Sequence, residues 1–75
     1  MTSAPIVVHR LSPSGGRRVT ARARDVEQIL GVAYNDRDVL EFLRRVGIDD
    51  PAPLLDQPHW VEWRGGRPHQ WATAS

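Results

Sequence analysis

From Arg17 to Arg24 the sequence alternates, and this constrains the fold more than any other stretch. Val19, Ala21 and Ala23 fall on one side, and Arg18, Thr20, Arg22 and Arg24 on the other. A period of two is the signature of a strand with one buried face. Residues 6–11, Ile-Val-Val-His-Arg-Leu, form a second strand-like run, and Ser12-Pro13-Ser14-Gly15-Gly16 between them is a turn. A hairpin with loop 13–16 pairs Val8 with Ala21 and Ile6 with Ala23. That register gathers the small apolar residues on one face. Arg18, Arg22, Arg24 and His9, with Val7 and Leu11, go to the other.

Residues 25–34 fit two patterns. Val26, Ile29, Leu30 and Ala33 have helical spacing, and Asp25 with Gln28 would make a capping box. Gly31 interrupts that helix, and Val32 and Tyr34 favour a strand. A third antiparallel strand, 27–34, is preferred, because it puts Leu30, Val32 and Tyr34 on the same face as Val19 and Ala21. Its weak point is the turn at Asp25-Val26, where neither residue suits a tight reversal.

The next segment is a helix. Asn35 or Asp36 caps it, Asp36 and Asp38 sit at the positive end of its dipole, and Arg44 and Arg45 at the negative end. Val39, Phe42, Leu43 and Val46 form the apolar stripe, widened by Leu40. Gly47 followed by Ile48 is a Schellman-type stop. A connector with Pro51, Pro53 and Pro58 follows, pinned by Leu54 and Leu55. The last expected element is a second hairpin: a strand 59–63, a Gly65-Gly66 turn and a return strand from Pro68 to Thr73.

Seventy-five residues make one small domain (1–75, with loose termini at 1–5 and 73–75). There is no cysteine, so neither a disulfide nor a thiolate metal site is available. Stability must come from one modest core or from association. The N-terminus lacks a basic cluster followed by a long apolar run, and no run approaches the roughly 20 apolar residues needed to span a bilayer. A cytoplasmic protein without membrane contact is expected. All ten basic residues are arginine and the net charge is +1. Residues 1–34 hold five arginines against Asp25 and Glu27, hence +3; residues 35–75 hold five against seven acids, hence −2.

Two surfaces are candidates for binding. Counting outward from Gly65-Gly66 sets Arg64 opposite Arg67, Glu62 opposite His69, and Trp60 opposite Trp71, all on one side of the ribbon. Val61 and Trp63 take the core side. The six residues would form a platform in which two indoles stack a flat group and two guanidiniums hold an anion. The second candidate is the arginine row Arg18, Arg22 and Arg24, a footprint suited to phosphate. His9, His59 and His69 lack metal-ligand spacing, no serine sits in a nucleophile elbow, and no phosphate loop occurs. Catalysis, a cofactor and a metal are not expected.

These readings combine into an α+β domain of order β-β-β-α-β-β: one antiparallel sheet of about five strands with a single helix across it. The expected core is Ile6, Val8, Val19, Ala21, Leu30, Val32, Val39, Leu40, Phe42, Leu43, Val46, Leu54, Val61 and Trp63. The same order occurs in the OB-fold, a small barrel that binds oligonucleotides, although no motif accompanies it here. The leading functional expectation is a small accessory or regulatory module acting through protein–protein contact, with another protein or with a second copy. Surplus tryptophan and arginine, the residues enriched at interface hot spots, motivate it. The alternative is nucleic-acid binding through the arginine row and exposed tryptophans.

Overall fold

The first hairpin forms where the turn signal places it. In the computed structural model, which describes residues 4–71, β1 (Ile6–Leu11) runs antiparallel to β2 (Arg17–Ala23). Ile6 faces Ala21 and Val8 faces Val19, two residues away from the expected register. The loop is one residue longer than expected, and one extra residue bulges from β1 between Val8 and Leu11. Because the shift is two, β2 and the part of β1 up to Val8 keep their expected faces, whereas beyond the bulge Leu11 stands opposite the core-facing Arg17 and changes sides. Of the expected loose termini, residues 1–3 and 73–75 lie outside the described residues. Ala4 is buried, and the Pro5 carbonyl accepts from the Arg22 amide.

Residues 26–33 are a strand, β3 (Val26–Ala33), antiparallel to β2. The turn joining them is Arg24-Asp25, not Asp25-Val26. Both residues have positive φ, 51° and 66°, as a two-residue turn of the type I′ class requires. A second bulge changes the strand's outcome. Thr20 faces Ile29, but Val19 faces Gly31, so Leu30 is an extra residue. Beyond it the side-chain parity reverses. Gly31 and Ala33 face the core, while Val32 and Tyr34 turn to the opposite face and are exposed. The expected burial of Val32 is thereby overturned. Gly31 has φ +151°, and a Cβ there would sit 2.8 Å from the tip of the Phe42 ring. The helix crosses the sheet at a point where only glycine leaves room.

Helix α1 (Asp36–Arg45) begins at Asn35, whose side chain accepts from the Asp38 amide at 2.9 Å. Asp38 in turn accepts from the Tyr34 amide. The helix ends in the expected Schellman pair: Gly47 N–H to the Arg44 carbonyl and Ile48 N–H to the Leu43 carbonyl. Val39 and Leu43 are fully buried, Phe42 and Leu40 partly so. Val46, expected inside, is exposed because it is the C-cap and leaves the helical stripe. A short 3-10 helix (Ala52–Asp56) then presents Leu55 to the core.

Among the described residues the second hairpin does not form. β4 (Val61–Trp63) pairs with β1 in parallel, Ile6 with Val61 and Val8 with Trp63. Among the described residues no return strand follows. Among the described residues the sheet therefore has four strands, mixed in direction and ordered β3-β2-β1-β4, in place of about five antiparallel strands. It does not close into a barrel, since β3 and β4 are its edges. Ile6, Val8, Val19, Ala33, Val39, Leu43, Leu55 and Val61 form one core between the sheet and the helical layer. Among the described residues no helix is long and apolar enough to cross a membrane.

Candidate functional site

Arg17 explains why the C-terminal ribbon does not form. It lies on the core face of β2 at the end of the sheet and is only 1% exposed. Its Nε donates to the His9 carbonyl at 2.7 Å. Nη1 donates to the carbonyls of Arg67 and Gln70, and Nη2 to that of Arg64 at 2.9 Å. Its guanidinium carbon is 5.1 Å from the Trp63 ring centre and 5.9 Å from that of Trp71. Burial lowers its pKa, yet arginine stays charged in proteins. The charge is held by carbonyl dipoles and indole faces. Residues 64–71 wrap around this cation, which fixes their carbonyls inward and removes them from a β-ladder.

The six-residue platform expected on that ribbon is dispersed. Trp60 stays partly exposed ahead of β4, whereas Trp71 turns inward and meets Trp63 edge-on at 5.7 Å. Its Nε1 donates to Asp36 Oδ1 at 2.7 Å. Glu62 pairs with Arg64 along its own strand end, not with His69. His69 places Nδ1 2.6 Å from Asp36 and Nε2 2.7 Å from Asp56. Two carboxylates, one at each ring nitrogen, require both nitrogens to donate, so the ring is imidazolium. The hydrogen bonds from Asp56 and then Asp36 raise its pKa. The ring also packs against Trp63, 5.1 Å between ring centres and tilted by 39°. Arg64 and Arg67 contribute their carbonyls to Arg17, and do not face each other across a ribbon. This C-terminal assembly is a structural clasp.

Among the described residues no element packs on the sheet face away from α1. Val7, Thr20 and Ile29 lie across its middle, one from each of three neighbouring strands. Val7 and Thr20 are buried there by their neighbours, with His9 Nε2 2.9 Å from Thr20 Oγ1. Desolvation, then the positive charge of Arg64, lowers the His9 pKa. Toward β3 the cover runs out. Ile29 is 62%, Val32 46% and Tyr34 60% exposed.

Those side chains belong to a free edge. Counting from the two-residue turn, Ala23 and Val26 bond to each other, Arg22 and Glu27 do not, and the alternation continues along the ladder. The backbone groups of Glu27 and Ile29 therefore point away from β2. The extra residue Leu30 delays the next outward position to Val32. Among the described residues Glu27, Ile29 and Val32 thus offer amides and carbonyls without a partner strand, and their side chains share the uncovered face.

Of the arginine row, Arg18 and Arg22 lie on this face and Arg24 sits in the β2–β3 turn. Glu27 stands opposite Arg22, so the stripe is not purely basic. A pocket of about 350 Å³ opens beside Val32, lined by His9, Arg10, Ser12, Gly16 and Arg18 among others. The β3 edge was not singled out in the sequence, although Ile29, Val32 and Tyr34 were legible there as apolar residues. The missing signal was the Leu30 bulge that turns two of them outward. No family model, curated protein or solved structure matches the chain.

Proposed function

We propose that this chain is a small non-catalytic binding module that takes up a polypeptide along β3 and the uncovered sheet face. The observation that carries this reading is the coincidence of unpaired backbone groups and exposed apolar side chains at Glu27, Ile29 and Val32. A long, free, apolar edge is a ready template for an added strand. Arg18 and Arg22, flanking the apolar strip, favour a partner that brings acidic side chains. Nucleic-acid binding has less support. The indoles that would stack bases are divided between an exposed Trp60 and an inward Trp71, and Glu27 and Glu62 interrupt the basic surface.

A photo-crosslinking residue at Ile29 tests the reading, with the same residue at Glu41 on the wet side of α1 as control. Adducts with a polypeptide from position 29 and none from position 41 are expected. Absence of any adduct from position 29 would overturn the proposal.

A further inference from the structure

We infer that the strand taken up by β3 is β3 of a second copy, paired antiparallel about a two-fold axis at Ile29. This rests on β3 being the contact surface and names its occupant. A two-fold pairing requires the outward positions to match their own reversed order. Glu27, Ile29 and Val32 do so because of the bulge. With Ile29 opposite Ile29 of the second copy, Glu27 is two positions before the axis. Val32 is two positions after it once the extra Leu30 is discounted. Each Glu27 therefore meets Val32 of the other copy. In an unbulged strand the partner of Glu27 would be Gly31; the bulge turns Gly31 to the helix and puts Val32 in that place.

The charges match in the same register. Val32 is paired on its inner side with Arg18 of β2. Each Glu27 then lies two strand spacings, roughly 10 Å between backbones, from the other copy's Arg18 on the same face. Extended glutamate and arginine side chains span that gap over Val32. Neither residue has an ion-pair partner among the described residues. The pairing also joins the Ile29, Val32 and Tyr34 strips of both copies into one apolar band. Among the described residues it consumes both long edges and leaves three-residue β4 at each end, so assembly stops at two.

The test is sedimentation equilibrium on the full chain and on two charge reversals, Glu27→Arg and Arg18→Glu, with circular dichroism to establish folding. The unsubstituted chain should dimerise. Each reversal alone replaces two attractions by two repulsions, and dimerisation should weaken about tenfold or more. An equimolar mixture of the two variants should dimerise again, because in the mixed pair both contacts unite opposite charges. A monomer at every concentration, a dimer indifferent to both reversals, or a mixture no tighter than its components would each overturn the inference. If sedimentation finds a monomer while position 29 crosslinks a different polypeptide, self-pairing fails and the β3 surface stands. If position 29 crosslinks nothing, both fall.

Discussion

Arg17 sits beneath Trp63, its guanidinium carbon 5.1 Å from the ring centre, although the two residues are far apart in the chain. The contact joins the first residue of β2 to the last residue of β4. Around it, four carbonyls accept hydrogen bonds from one side chain. Residues 64–71 hold their shape through this cation and not through strand pairing.

Replacing Arg17 should therefore release the C-terminus. Arg17→Met leaves inward-facing carbonyls without a donor, and a loss of roughly 2–4 kcal/mol is expected. Arg17→Lys should recover little, since an ammonium cannot reach His9, Arg64, Arg67 and Gln70 with the planar fork that serves them now. Urea unfolding followed by tryptophan emission measures both, with a red shift marking the hydration of Trp63 and Trp71.

The clasp should also respond to pH through His69. Its folded pKa lies above the ordinary 6.5 because Asp56 and Asp36 favour the charged ring. The stability it contributes is thus full below about pH 6.5 and is lost as pH rises through the folded value. His9 acts in the opposite sense: its pKa is lowered, so it costs stability as pH falls through 6.5 toward that lower value. His69→Gln should abolish the loss on the alkaline side and leave the acid side unchanged, as read from thermal midpoints across pH 5–9 (roughly the histidine range).

Gly31 is the point at which the helix and β3 touch. Gly31→Ala should destabilise by about 2–3 kcal/mol, through the disfavoured φ and the clash with Phe42. Phe42→Leu in the same chain should relieve only the clash. A double-mutant cycle with a coupling of about 1 kcal/mol would express the steric part.

The β2–β3 turn carries residues ill suited to it. Arg24 and Asp25 both have positive φ, which costs roughly 1 kcal/mol for a long side chain. Substituting Asn-Gly at 24–25 should stabilise the fold by about 1 kcal/mol, measured by chemical denaturation.

That turn also shows where the sequence was readable. Alternation at 17–23, the capping residues around Asn35 and the Gly47-Ile48 stop each act within a few residues, and each element appeared where its local chemistry implied. The failures involve partners distant in the chain. Leu30 bulges against Val19, and the reversal of Val32 and Tyr34 follows from that one irregularity. Nothing adjacent to Arg17 in the sequence marks it for burial. Its burial depends on Trp63 and on carbonyls some fifty residues later. The expected Trp60–Trp71 face failed for the same reason: a plausible Gly-Gly hairpin yields to a cation that draws its return segment inward. Of the candidate site, Arg18 and Arg22 were legible in the sequence, whereas Ile29 was not singled out and Val32 was expected in the core.

The most direct measurement of the central claim is amide hydrogen exchange along β3 as a function of protein concentration. In dilute solution the Glu27, Ile29 and Val32 amides should exchange quickly and those of Gln28 and Gly31 slowly, since the first set points away from β2 and the second toward it. With rising concentration the outward three should become protected together, while amides of the loop 12–16 do not change. Outward amides that are already protected in dilute solution, or that gain no protection at any concentration, would contradict an open β3 edge that closes on a second copy.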